Sequence, residues 1–151
     1  MIISMLGIIL YRPEKPSNVG NIMRTAMAIE AKLYIIGPLT FSLTNKDLKR
    51  AGMDYINESD FVVYENYEDV TKDIYFMFGR ESTGIPHEVL RDNLDKTVRL
   101  PMVPSARSLN LSNCVAIVLF EALRQQNFYG LATHEVIKGE DFLIEELTKS
   151  E

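Results

Sequence analysis

The chain has 151 residues, 46% of them hydrophobic and 25% charged, with a net charge of −5. That length suffices for one domain with a real core, the composition is too apolar for a disordered chain, and the charge excludes a general polyanion binder, so any nucleic-acid contact needs a local basic patch. One cysteine, Cys114, cannot form an internal disulfide, and with only His87 and His134 beside it no metal site is expected.

No apolar run reaches the length of a membrane span. The opening "MIISMLGIIL" lacks the basic n-region and cleavage site of a secretory signal. A cytoplasmic protein without a membrane partner is therefore the expectation.

In chain order, "GIILY" (residues 7–11) reads as a buried strand stopped by "RPEKPSN". "NVGNIMRTAMAIEA" places Ile22, Ala26 and Ile29 at helical spacing, with Asn18 as the expected N-cap. "KLYIIGP" is a second strand, and "TNKDLKRAGM" a short helix carrying Lys46, Lys49 and Arg50. "FVVY" and "IYFMFG" read as strands around a helical turn in "ENYEDVTKD". "IPHEVLRDN" opens a helix with proline at its first or second position, and "TVRLPM" reads as a further strand. Strands alternating with helices predict an α/β fold, a parallel sheet with helices on both faces.

The last long helix begins in "SLNLSNCVAIVLFEALRQ". From Cys114 to Phe120 it is apolar on all sides, unlike a one-sided surface helix. It is expected either to lie deep in the domain or to meet another subunit, and the small size of the domain favours the subunit. The acidic tail "THEVIKGEDFLIEELTKSE" differs in character, so the expected division is a domain over residues 1–132 and a tail over 133–151. "EDFLIEELTK" can form a short amphipathic helix with Phe142, Leu143 and Leu147 on one side.

Three polar loops precede helices: "EKPSNVGNIMR", "GRESTGIP" and "VPSARSLNLSN". In a parallel sheet such loops gather at the carboxyl ends of the strands, where ligands bind. In the first, Gly20 permits close backbone approach, and Arg24 one turn on presents a planar fork suited to phosphate. In the second, Gly79 and Gly84 flank Glu81, which can bond loop amides. In the third, Ser108, Asn110, Ser112 and Asn113 are more small polar residues than one helix cap needs. No phosphate-loop or dinucleotide-binding glycine pattern follows a strand, which removes the main support for nucleotide hydrolysis or ordinary dinucleotide binding.

Together and in this order, "ILYRPEKPSNVGNIMRTA", "KRAGMDY", "MFGRESTGIP" and "LPMVPSARSLNLSNCVAIVLFEALRQ" resemble the SPOUT superfamily of knotted methyltransferases. The nearest branch is the small enzymes that methylate the ribose 2′-hydroxyl of the wobble nucleotide in tRNA. The resemblance covers nearly all of residues 5–130. It implies a Rossmann-like parallel sheet with a C-terminal deep trefoil knot, S-adenosylmethionine as methyl donor, a tRNA substrate and a homodimer. By the same resemblance, Gly79, Glu81, Leu100, Met102 and Ser108 bind the cofactor. Asn18, Gly20, Asn21, Arg107, Asn110 and Asn113 bind or shape the substrate side, and Arg24 serves the chemical step.

The chain departs from the family pattern in one place. Family members carry an extra strand and loop between the "NYEDV" region and "MFG", whereas "YENYEDVTKDIYFMFGRE" passes directly from one to the other, so the domain is expected to lack one strand. Two alternatives share the motifs: a ribosomal-RNA 2′-O-methyltransferase, and a non-catalytic RNA-binding or assembly protein with a degenerate cofactor site.

Overall fold

The computed structural model of the protein describes residues 6–44, 46, 61–65, 75–139 and 141–142. Within them, β1 (Gly7–Tyr11), β2 (Lys32–Ile36), β3 (Phe61–Tyr64) and β4 (Tyr75–Phe78) form one sheet in the order β3-β2-β1-β4. Every pairing is parallel: Ile8 stands beside Leu33 and Phe76, and Leu33 beside Phe61. β1 has neighbours on both sides and is buried over Gly7–Leu10. This explains why its sequence is a continuous apolar run instead of an alternating one.

α1 (Pro16–Ala28) connects β1 to β2 and packs against β2. Its buried stripe, Val19, Ile22, Met23 and Ala26, has the three-and-four spacing of an amphipathic helix. Ile8, Leu10 and Ile35 are wholly buried and share one face of the sheet through the alternation of strand side chains. The opposite face carries Tyr34, stacked on Tyr64 at 5.9 Å and meeting Tyr75 edge-on at 5.2 Å. Gly7 lies beneath Tyr75, whose ring occupies the space a Cβ would need.

The expected strands at 7–11, "KLYII", "FVVY" and "YFMF" are present, but "TVRLPM" is not one: residues 97–103 are irregular, with Val98 72% exposed. A β-prone sequence forms a strand only where a neighbouring edge accepts its hydrogen bonds. Pro86 is the N-cap of the short helix α2 (His87–Arg91) instead of lying in its first turn, and a 3-10 turn, Leu94–Lys96, follows. The expected "TNKDLKRAGM" helix and "ENYEDVTKD" turn lie outside the described residues, apart from Thr44, Lys46 and Glu65 at their edges.

The chain divides into two compact units, residues 1–119 and 120–151. α3 (Leu111–Gln125) begins in the first, where Leu111, Val115 and Leu119 are buried at four-residue spacing while Ile117 is 47% exposed. The helix is therefore buried along one stripe and open on the other, not deep on all sides. In the second unit the helix closes with Phe128 donating its N–H to the Leu123 carbonyl, Asn127 and Phe128 both having positive φ. The expected tail helix falls outside the described residues except Asp141 and Phe142.

Gly7→Val should destabilise the protein by about 1–3 kcal/mol through overpacking against Tyr75, measured by urea unfolding. In the Tyr75→Ala background the same change should cost less, because the obstructing ring is gone. Strictly additive losses would show that the two positions do not meet.

Candidate functional site

The chain lays down β1, β2 and β3 in one direction and then places β4 on the other side of β1. The order reverses between β1 and β4, and the crevice outside their carboxyl ends is where an open parallel sheet binds ligands. The segment after β1 (residues 12–15) and the segment after β4 (residues 79–86) both emerge there.

These two segments are bonded together by two glutamates. Glu14 accepts hydrogen bonds from the Ser82 N–H at 2.9 Å, the Ser82 hydroxyl at 2.7 Å and the Arg80 guanidinium at 3.0 Å. In return Glu81 accepts from the Glu14 N–H and from Asn18 Nδ2, both at 2.9 Å. Ser82, above all, and the Arg80 charge hold the Glu14 carboxyl below its ordinary value. Arg80 retains donor capacity: its Nε is buried and has no hydrogen-bond partner among the described residues.

The third loop joins through Asn110. Its Nδ2 donates to Asn18 Oδ1 at 3.0 Å, while its own Oδ1 accepts from the Ser112 N–H at 2.9 Å, the Ser112 hydroxyl at 2.6 Å and the Asn113 N–H at 3.3 Å. Asn110 thus caps α3 and ties its start to α1 with one side chain. Asn18, expected as the cap of α1, has another task. α1 begins two residues earlier at Pro16, with Lys15 as N-cap and no side-chain cap bond. Asn18 lies 4% exposed inside the helix and bridges Glu81 to Asn110. An asparagine near a helix start is usually a cap. Here a proline supplies the first turn, whose N–H would be unsatisfied anyway, and frees the amide.

A cavity of about 680 Å³ lies beside this junction, within the usual range for small-molecule sites. Gly79, Glu81, Leu100, Met102 and Ser108 all line it. A Cβ at Gly79 would run into the backbone of Gly84 and Ile85, so only glycine lets the loop fold back to close the cavity wall. Gly84, with φ 74°, turns the loop, and Arg80 and Gly84 exchange backbone hydrogen bonds across it. Apolar walls come from β4 and α3, while Lys96, Arg99 and Arg107 bring positive charge to the lining. Cys114 also lines the cavity, and burial pushes its thiol pKa up, which favours the protonated form.

Of the remaining residues singled out by sequence, Arg107 lines the cavity, and Asn18 and Asn110 sit in the junction. Gly20 is buried in α1, Asn113 donates its N–H to Asn110, and Asn21 and Arg24 lie on the exposed side of α1, outside the cavity wall. Sequence reasoning missed Glu14, Arg80 and Ser82. The available signal was charge: an acid in the first loop and an arginine beside the glutamate of the second.

The parallel sheet, its switch point and the neighbouring open cavity define an α/β domain of the ligand-binding kind. The model of the SpoU rRNA methylase family matches residues 5–75 and 68–120, and the chain belongs to that family. A tRNA (cytidine(34)-2′-O)-methyltransferase of Methylovorus glucosotrophus (strain SIP3-4) is 39% identical over 153 residues, covering 83% of this chain and 99% of the relative. A solved structure described as giving insights into 2-OH methylation of C/U34 on tRNA is 34% identical, with a TM-score of 0.72 over 84% of this chain and 94% of its own. The AdoMet-bound rRNA methyltransferase from Sinorhizobium meliloti is 26% identical, with a TM-score of 0.60 over 80% of this chain and 56% of its own. The 153 aligned positions exceed the residues contributed by 83% of a 151-residue chain, so part of the Methylovorus enzyme aligns with no residue of this chain. The two separate family matches meet at residues 68–75, where the sequence pattern places a gap.

The pKa of Glu14 is lower in the folded chain than its ordinary 4.5. Its contribution to stability is therefore present above that value and lost as pH falls through the folded value. Glu14→Gln should lower the melting temperature at pH 7, and the gap to wild type should shrink as pH drops below about 4.5. A gap independent of pH would mean that the carboxylate charge does not contribute.

Proposed function

We propose that this chain is an S-adenosylmethionine-dependent RNA methyltransferase acting on a ribose 2′-hydroxyl of tRNA, at the wobble nucleotide of the anticodon. The observation that carries the reading is the cavity along β4, walled by the second and third loops, with Glu81 in its wall bonded to Asn18 of the helix that bears Arg24. The relatives' activity on position 34 of tRNA supports the choice of substrate.

The lining residues fit the proposed methyl donor. The apolar side chains of Met77, Phe78, Leu100 and Met102 suit its adenine ring and methylene groups, and Lys96, Arg99 and Arg107 offer partners for its carboxylate. When bound, S-adenosylmethionine supplies a methyl group on a cationic sulfur. The protein would hold the 2′-oxygen in line with that carbon and let the hydroxyl proton pass to solvent water as the methyl group moves from sulfur to oxygen. Arg24 is the group assigned to this step. A guanidinium donates and does not accept, so its role is to orient the neighbouring phosphate and stabilise charge growing on the oxygen. Asn21 and Gly20, on the same helix, belong to the substrate side in this reading, as do Arg107, Asn110 and Asn113. The methyltransferase domain spans residues 1–132, with the knotted C-terminal part that the SPOUT resemblance implies.

The active form is a homodimer in this reading, because α3 carries Ile117 and Phe120, each 47% exposed, on its open side. The gap that the sequence pattern places near residues 68–75 favours a second reading, an RNA-binding protein without a working cofactor site. Titration calorimetry separates the two, since only the enzyme binds S-adenosylmethionine. A hundredfold excess over the dissociation constant should also add about 2.7 kcal/mol of stability. No binding and no rise in melting temperature would remove the enzymatic reading.

Arg24→Ala should leave S-adenosylmethionine affinity within a few-fold and reduce methyl transfer by about a hundredfold to a thousandfold. Arg24→Lys should recover little, because an ammonium cannot reproduce a bidentate fork. Equal loss of cofactor binding and turnover would make Arg24 structural. Light scattering should show a dimer that Phe120→Asp converts to monomer, and a stable monomer in the unmodified protein would contradict the dimer.

A further inference from the structure

Arg12, at the carboxyl end of β1, is held in place but has charge to spare. Its φ is 45°, a left-handed conformation uncommon for a residue with a Cβ. Its backbone N–H donates to the Ile36 carbonyl at 2.8 Å, and its side-chain Nε–H donates to the Gly37 carbonyl at 3.1 Å. The guanidinium carbon lies 5.3 Å from the centre of the Tyr11 ring. Backbone, Nε and the face of the guanidinium each have a partner, so the half-buried side chain is restrained along its length.

The two Nη groups have no hydrogen-bond or ion-pair partner among the described residues. The nearby acids of the site are already engaged: Glu14 with Arg80 and Ser82, and Glu81 with the Glu14 N–H and Asn18. Closing the end of the sheet needs only the Nε bond and the ring contact, which leaves one end of the fork unexplained. In a chain of net charge −5, a preorganised cation without a carboxylate is the kind of local positive point that an RNA ligand requires.

Its position agrees. Arg12 bridges the ends of β1 and β2, while the cavity is walled by β4. Two residues on, Glu14 is bonded to Arg80 of the cavity wall, and the next residue, Lys15 at the start of α1, is exposed. A nucleic-acid strand presenting a ribose toward the cavity can cross the carboxyl edge of the sheet and pass Arg12.

We propose that Arg12 is an RNA-binding residue that grips a backbone phosphate of the substrate strand next to the reacting nucleotide. It rests on the reading of the protein as an RNA 2′-O-methyltransferase and adds a contact outside the cavity and outside α1. A phosphate takes two N–H donors from one planar fork, and the bonds at Nε and Tyr11 spare the side chain much of the ordering cost. Such a contact positions RNA without reading its sequence.

The test is binding of an unmethylated tRNA transcript to the full chain across a series of salt concentrations, for wild type, Arg12→Gln and Arg12→Lys. Glutamine keeps an N–H donor for the Gly37 carbonyl while removing the charge, which guards against simple misfolding. Loss of one phosphate contact should make the slope of log affinity against log salt shallower by about 0.7 to 0.9. Arg12→Gln should show that change, raise KM for the RNA more than it lowers kcat, and leave S-adenosylmethionine affinity at the wild-type value. Arg12→Lys should keep most of the salt slope. An Arg12→Gln protein with a lower melting temperature but an unchanged salt slope would overturn the proposal and leave Arg12 as a structural cap. A wild-type protein that neither binds nor methylates tRNA would overturn the functional reading itself, and the Arg12 proposal with it. Methylation by wild type with no effect of Arg12→Gln would overturn only the proposal.

Discussion

Asn18 is the constraint on which the rest of the site depends. It is almost fully buried, and its one amide holds Glu81 from the second loop and Asn110 from the third. These partners lie 63 and 92 residues away in the chain. Glu14 then closes the first loop onto Ser82 and Arg80, so three loops from distant parts of the sequence become one rigid junction. A buried polar network of this kind is costly if any member is unsatisfied and specifies one arrangement when all are paired. The cavity wall inherits that rigidity, because Gly79 and Gly84 fold the second loop back on itself beside the network.

The sheet topology determines where such a junction must form. With β1 at the centre and the chain crossing to β4 on its far side, the loops after β1 and β4 part at the carboxyl edge and leave a crevice. The polar junction forms there, and the cavity lies beside it along β4. The two family matches overlap at residues 68–75, just before β4, the strand that supplies part of the cavity wall. The described wall here is made by β4, the segment after it, residues 89–109 and the start of α3.

Much of this was legible from residue order alone. The strands were read from apolar runs, α1 from the spacing of Ile22 and Ala26, and the three ligand loops from glycine and small polar residues ahead of helices. Local pattern misled where the outcome depended on distant partners. "TVRLPM" has strand composition but pairs with no described strand, and Asn18 has cap chemistry but sits inside the helix because Pro16 already starts it. The apolar α3 was legible as unusual, yet only the structure separates its buried stripe of Val115 and Leu119 from its open Ile117. Glu14 and Arg80 stayed silent because a charged residue in a loop is ordinarily solvated. Their pairing across the switch point exists only once β1 and β4 stand side by side.

The central claim is that this junction organises a site for methyl transfer to a ribose oxygen of RNA. The most direct measurement is mass spectrometry of nucleosides from an unmethylated tRNA transcript incubated with the purified protein and S-adenosylmethionine. A 2′-O-methylated nucleoside that maps to the wobble position and is lost on Asn18→Ala is the predicted result. No methylated nucleoside from a protein that binds the cofactor, or a methyl group on a base instead of the ribose, would contradict the account.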